Sequence, residues 1–153
     1  MTYIAKPRLH HPTLATNKVG YTRRDYEGRI STLCAGCGHD SISAAIIQAC
    51  WELDIEPHRV AKLSGIGCSS KTPDYFLGAS HGFNTVHGRM PSVLTGANLA
   101  NRDLLYLGVS GDGDSATGWK IIKIGHSLAI VFGEHRCLFG YAKNAVNKNV
   151  LAV

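Results

Sequence analysis

Residues 104–114 read Leu104-Leu105-Tyr106-Leu107-Gly108-Val109-Ser110-Gly111-Asp112-Gly113-Asp114. A near-continuous apolar run that ends in Gly and Asp is a buried strand delivering a carboxylate at its C-terminal end. Working outward, a short run at Val60 to Leu63 is a second strand entering the turn Gly65-Ile66-Gly67. Between the cysteine loop at 34–37 and Pro57, Ile42, Ala45, Ile46, Ala49 and Leu53 recur at helical spacing, with Asp40 or Ser41 as the cap and Cys50 beside the stripe. Met90-Pro91 opens a second helical segment carrying Val93, Leu94, Ala97 and Leu99, and Leu128 to Phe132 supplies a further strand. Strands alternating with helices, with glycine-rich turns after the strands, predict an α/β fold: an open parallel sheet with flanking helices that takes its ligand at the strands' C-terminal edge.

The 153-residue length suits one core. Residues 1–30 show no sustained period and are expected to form an N-terminal arm outside that core; 31–132 form the α/β domain, and 133–153 form an atypical tail. The formal charge of +5 comes largely from Lys6, Arg8, Lys18, Arg23, Arg24 and Arg29. Basic and aromatic residues do not interleave there, which argues against a nucleic-acid groove and for a solvated surface. No apolar stretch suits a bilayer span or a secretory signal, so the expectation is no membrane and a reducing cytoplasm, where five cysteines serve metals or packing rather than disulfides.

Two signatures stand out, Cys34-Ala35-Gly36-Cys37-Gly38-His39 and Gly65-Ile66-Gly67-Cys68-Ser69-Ser70. A Cys-x-x-Cys pair joined by a third cysteine from a distant glycine-rich loop is a three-point cradle for an iron–sulfur cluster. Zinc is the competing metal, with His39 as the nearest nitrogen donor, although no second pair completes a tetrahedral set. Packing alone suits Cys50 best. Asp112 can place a hard oxygen on Mg²⁺ while neighbouring glycines admit a diphosphate; a tight turn that uses Gly and Asp for their backbone preferences is the alternative. His81, His87 and Arg89 offer contacts to diphosphate or substrate oxygens, Arg by its planar fork, and Lys71 is an anion contact by position.

In order and spacing, Cys34-Ala-Gly-Cys37-Gly-His39, Ser64-Gly-Ile-Gly-Cys68-Ser-Ser-Lys71, His87-Gly-Arg89 and Ser110-Gly-Asp112-Gly-Asp114 resemble the beta subunit of 2-oxoacid:ferredoxin oxidoreductases, over about Ser31 to Ala116. The resemblance implies a thiamine-diphosphate-binding fold and a [4Fe–4S] cluster on Cys34, Cys37 and Cys68. It further implies Mg²⁺ on Asp112 and a thiamine diphosphate site drawing on Gly36, Gly38, His39, Gly67, Ser69, Gly111, Gly113 and Asp114. Lys71, His87 and Arg89 would face the substrate. The implied activity is oxidative decarboxylation of a 2-oxoacid, 2-oxoglutarate or pyruvate, to acyl-CoA, with electrons leaving through the cluster to ferredoxin. An alpha subunit would complete the cofactor site. The alternatives are a non-catalytic fragment that serves as an alpha-subunit interaction module and a small zinc-binding module.

The pattern departs from the family after Thr117, where Gly118-Trp119-Lys120-Ile121-Ile122-Lys123-Ile124-Gly125-His126 brings no Asn-Asn pair. Codons permitted for Gly133 to Phe139, read one base later, can spell Glu-Asn-Thr-Gly-Val-Tyr, a family-like segment. The expectation is a chain truncated or frameshifted after about residue 117, with the fold incomplete at the C-terminus. The fourth cluster ligand and the remaining Mg²⁺ ligands stay unassigned, and Cys137 lacks the glycine flanks of the other cysteine loops.

Overall fold

A parallel sheet of order β2-β1-β3-β4 carries the architecture, built from β1 (Val60–Ser64), β2 (His81–Asn84), β3 (Leu105–Gly111) and β4 (Leu128–Gly133). The computed structural model describes residues 13–111 and the backbone of 128–133. Asp112, Gly113 and Asp114, the first twelve residues and the tail from 134 lie outside the described residues. Within this sheet the pairings are parallel: Ala61 lies opposite His81 and Tyr106, and Leu107 lies opposite Ala129.

β1 is buried along its whole length, as a central parallel strand covered on both faces must be. Successive residues alternate between the two faces. Val60, with Leu107 and Val109 of β3, packs on helix α1 (Gly38–Glu52) through Ile42, Ile46, Ile47 and Cys50. Ala61 and Leu63, with Tyr106, pack on helix α2 (Met90–Ala100) through Met90 and Leu94. The open parallel sheet with flanking helices is therefore the fold found. Gly108 lets α2 come close: a Cβ there would stand 2.5 Å from the Met90 sulfur.

Both helices form where expected, with shifted faces. α1 starts at Gly38 with Cys37 in the cap position, so Asp40 sits inside the first turn, where a carboxylate complements the helix dipole. Its buried stripe runs through Ile42, Ile46 and Cys50 with His39, Ser43 and Ile47 alongside, leaving Ala45 and Leu53 exposed. Pro91 lies in the first turn of α2, whose buried side is Met90, Leu94 and Asn98; Val93 and Leu99 point outward. β2 was not expected: all four residues are exposed, and backbone pairing to β1 alone makes it a strand.

The arm expected over residues 1–30 is corrected for the part described. Tyr26, at the end of a short 3-10 turn Arg23–Tyr26, is 0% exposed and belongs to the α1-side core. Its hydroxyl accepts a bond from Asn17 Nδ2 at 2.8 Å, and its ring meets Tyr21 edge to face at 6.1 Å. Trp51 Nε1 donates to the Tyr21 carbonyl at 3.1 Å, fastening this segment to the end of α1. A single buried ring on a one-turn helix has no periodicity to betray it.

Candidate functional site at the C-terminal edge of the sheet

Each described motif sits at one edge. α1 runs back to feed β1 through a short connection, so its N-terminus, with Cys34–Cys37, lies at the end where the parallel strands finish. The turns after β1 and β2 carry Gly65–Cys68 and His87–Arg89, and β3 ends on Ser110–Gly111. Gly65 N–H donates to the Val109 carbonyl at 3.2 Å, extending the β1–β3 ladder and setting the two glycine-bearing ends side by side.

Backbone conformation explains the glycines. Gly67 has φ +101° and ψ −147°, and Gly36 has φ +78°, both in regions that side chains oppose. Among the described residues, a Cβ added at Gly36, Gly38, Gly67 or Gly111 would meet no atom within 4 Å, so these glycines border space open to that extent. That opening fits a group needing close backbone approach, such as a diphosphate. Ser69 is 1% exposed and donates to the Ile66 carbonyl at 3.2 Å, closing the turn. Ser70 does the same to Gly67 at 2.6 Å.

Cys34 and Cys68 are exposed, Cys37 is half-buried, and all are free thiols; Cys50 is buried, which pushes its pKa up to about 12 and confirms a packing role. The Cys37 amide donates to the Cys34 carbonyl at 3.0 Å, folding the loop as a turn into α1. Cys37 Sγ lies 3.4 Å from His39 Nδ1. The donor chemistry and exposure suit a thiolate-bound cluster. Among the described residues, however, no three His, Cys, Asp or Glu side chains come together as a metal site, so Cys34, Cys37 and Cys68 do not form such a group. The same holds for a closed zinc set with His39.

His39 is 7% exposed, and its Nε2 has no hydrogen-bond partner among the described residues. Burial holds its pKa below the ordinary value, against a smaller opposing pull from Asp40. A neutral imidazole is therefore the form the fold favours. Lys71, His87 and Arg89 are exposed. Lys71 follows the Cys68–Ser70 turn, and Arg89 takes the cap position of α2, its amide bonded to the Val86 carbonyl at 2.9 Å.

Several residues at this edge escaped the sequence reading. Ser64 Oγ donates to Asn84 Oδ1 at 2.6 Å, and Thr85 returns both its amide and its hydroxyl to the Ser64 carbonyl at 2.9 Å. Lys62 is buried in the middle of β1. It lines a cleft of about 750 Å³ with Arg29, Ser70, Asp74, Phe83 and Asn84. A lysine inside a buried strand was the available signal, since lysine is almost never buried without partners.

No family model matches the chain. It is 43% identical over 81 residues to 2-oxoacid:ferredoxin oxidoreductase subunit beta of Sulfolobus sp, covering 53% of this chain and 27% of that protein. It is 45% identical over 84 residues to 2-oxoacid:ferredoxin oxidoreductase 1, subunit beta, of Aeropyrum pernix (55% and 26%). With 2-oxoglutarate synthase subunit KorB of Methanocaldococcus jannaschii it shares 37% identity over 106 residues (69% and 36%). Among solved structures, 2-oxoglutarate:ferredoxin oxidoreductase from Magnetococcus marinus, with 2-oxoglutarate, coenzyme A and succinyl-CoA bound, superposes with a TM-score of 0.58 at 36% identity, covering 67% of this chain and 35% of that one. The chain thus spans about a third or less of the length of these relatives. In sequence it is similar to beta subunits of 2-oxoacid:ferredoxin oxidoreductases, and in fold to a 2-oxoglutarate:ferredoxin oxidoreductase, members of an oxidoreductase enzyme family.

Proposed function

We propose that this chain acts as part of the beta subunit of a 2-oxoacid:ferredoxin oxidoreductase. The reaction is 2-oxoacid plus coenzyme A plus two oxidised ferredoxins giving acyl-CoA, CO₂, a proton and two reduced ferredoxins. One observation carries the reading: the glycine turn after β1 and the glycine end of β3 stand side by side at the sheet's C-terminal edge, joined by the Gly65 to Val109 bond of 3.2 Å. In open α/β sheets that crevice is where ligands bind.

Within this reading residues 31–132 are the N-terminal part of the thiamine-diphosphate-binding domain and 133–153 an atypical tail. Gly36, Gly38, His39, Gly67, Ser69, Gly111, Gly113 and Asp114 make the diphosphate surroundings, Asp112 the Mg²⁺ ligand, and Cys34, Cys37 and Cys68 the ligands of a [4Fe–4S] cluster. Thiamine diphosphate, when bound, supplies the carbanion chemistry that releases CO₂, and the cluster the one-electron steps to ferredoxin. The chain's own residues bind and orient. Lys71 offers an ammonium to a substrate carboxylate, which favours 2-oxoglutarate over pyruvate. Arg89 offers a planar fork to a carboxylate or phosphate, and His87 a hydrogen bond. An alpha subunit, a cytoplasmic setting and ferredoxin as acceptor belong to the same proposal.

The test is anaerobic co-purification of the full-length subunit with its alpha partner. Brown protein with about four irons per chain, lost in Cys34→Ser, Cys37→Ser and Cys68→Ser but kept in Cys50→Ala, is the expected result. Colourless protein holding one zinc per chain would overturn it in favour of a zinc module. Apo protein that still binds the alpha subunit would overturn it in favour of an interaction module.

A further inference from the structure

β1 is buried on both faces, yet its central residue is a lysine. Lys62 is 5% exposed, and its Nζ donates to the carbonyls of Pro73 at 2.6 Å, Phe76 at 2.7 Å and Leu77 at 3.0 Å. It also sits 5.2 Å from the centroid of the Phe76 ring. An ammonium has three protons, and three carbonyls take them, so the group is satisfied without a carboxylate.

The three carbonyls belong to a turn that needs holding. Leu77 is fully buried and has φ +45°, a conformation uncommon outside glycine. The turn is also a junction. On one side it binds residues 26–29 through four backbone bonds: Leu77 to the Tyr26 carbonyl at 2.7 Å, Arg29 to Asp74 at 2.8 Å, Gly28 to Tyr75 at 3.2 Å and Gly78 to Glu27 at 3.2 Å. Those residues form the stem of the Cys34–Cys37 loop. On the other side, Thr72 Oγ1 donates to the Cys68 carbonyl at 3.1 Å, and the Asp74 amide to Lys71 at 3.0 Å. These form the stem of the Cys68–Lys71 turn.

We propose that Lys62 is a positioning residue: by gathering the Pro73, Phe76 and Leu77 carbonyls onto β1, its ammonium fixes Cys68 and Lys71 relative to the Cys34–Cys37 loop. The use made of those loops rests on the function proposed above; the pin itself does not. Lys62 acts through the turn, its ammonium bonded to three carbonyls of residues 73–77.

Hydrogen exchange on the full-length subunit, wild type against Lys62→Met, tests the pin directly. Exchange at the Gly28, Arg29, Leu77 and Gly78 amides should rise tenfold or more, while amides of β1 and β3 stay within about twofold. In the assembled enzyme the same variant should raise KM for the 2-oxoacid and lower iron per chain by larger factors than it lowers kcat per bound cluster. Equal acceleration of the turn and the sheet would reduce Lys62 to general stability, and unchanged exchange at the turn would refute the pin outright. Should Lys62→Met fail to fold, Lys62→Leu, which also has no side-chain donor, gives the same comparison with the same two refuting results. A wild-type assembly without 2-oxoacid turnover would sink the functional reading, while the exchange comparison still decides the pin.

Discussion

Replacing Gly28 by Ala should destabilise the fold more than the same change at Gly108, although both glycines are closely approached. A Cβ at Gly28 would collide with the Asp74 carbonyl oxygen and stand 2.6 Å from Tyr75 C and 2.7 Å from Phe76 N, all backbone atoms of the turn that Lys62 holds. Backbone cannot step aside by changing rotamer, so the two segments must part. Parting them breaks the Gly28 to Tyr75 and Arg29 to Asp74 bonds, each worth about 1 kcal/mol. Residual overpacking adds about 1–3 kcal/mol, for a total of about 3–5 kcal/mol on the same footing. At Gly108 the obstacles are the Met90 sulfur at 2.5 Å, its methyl at 3.0 Å and Leu94 Cδ1 at 3.0 Å, ends of flexible side chains. Repacking should limit that cost to about 1–3 kcal/mol. Urea unfolding of the full-length subunit, followed by circular dichroism with equal m-values, measures both. A Gly28→Ala variant within about 1 kcal/mol of wild type, or less destabilised than Gly108→Ala, would refute the claim that residues 26–29 are clamped to the turn.

Tyr26→Phe removes the acceptor of the Asn17 bond while keeping the ring in the core, and should cost about 1 kcal/mol. Tyr26→Ala should cost about 3–5 kcal/mol in the same denaturation assay, whereas a segment outside the core would show neither loss. Burial lowers the Lys62 pKa from 10.5 to about 8, against the pull of Asp74. Between those values the unfolded chain holds a proton that the folded chain has released, so stability should rise with pH through that window relative to Lys62→Met. Below the window the cost of burying the ammonium is present in full, and a fall of wild type relative to the variant above pH 8 would contradict the assignment. Lys71→Ala, assembled with the alpha subunit, should lose 2-oxoglutarate turnover more than pyruvate turnover. Equal losses would remove Lys71 as the contact to the distal carboxylate.

What the sequence revealed and what it concealed divide along a physical line. β1 and β3 were legible because central parallel strands are buried on both faces and read as near-continuous apolar runs, and β4 was legible as the apolar run Leu128 to Phe132. Helix positions were legible from period and from Pro91, but the buried face of α1 shifted by a residue because Cys50 and Ser43 pack where Ala45 and Leu53 were expected. β2 was concealed because an edge strand with four exposed side chains is made by backbone pairing, which leaves no mark on composition. Tyr26 and Lys62 were concealed for a related reason: each is fixed by partners distant in sequence, Asn17 and Trp51 for the Tyr26 segment, and the carbonyls of 73–77 for Lys62. The motif loops were legible through their glycines, whose φ values at Gly36 and Gly67 explain the residue choice. The sequence alone carried no sign that Cys34, Cys37 and Cys68 would not form a three-ligand group among the described residues. Metal binding can supply the free energy that draws such ligands together.

The proposed function is that of part of an enzyme that oxidatively decarboxylates a 2-oxoacid. Its most direct test is anaerobic reduction of a low-potential viologen dye by the full-length subunit assembled with its alpha partner, with thiamine diphosphate and Mg²⁺ present. Reduction should require both 2-oxoacid and coenzyme A, run faster with 2-oxoglutarate than with pyruvate, and disappear in Cys68→Ser. Dye reduction that ignores the 2-oxoacid, or none from an assembly loaded with iron and thiamine diphosphate, would contradict it.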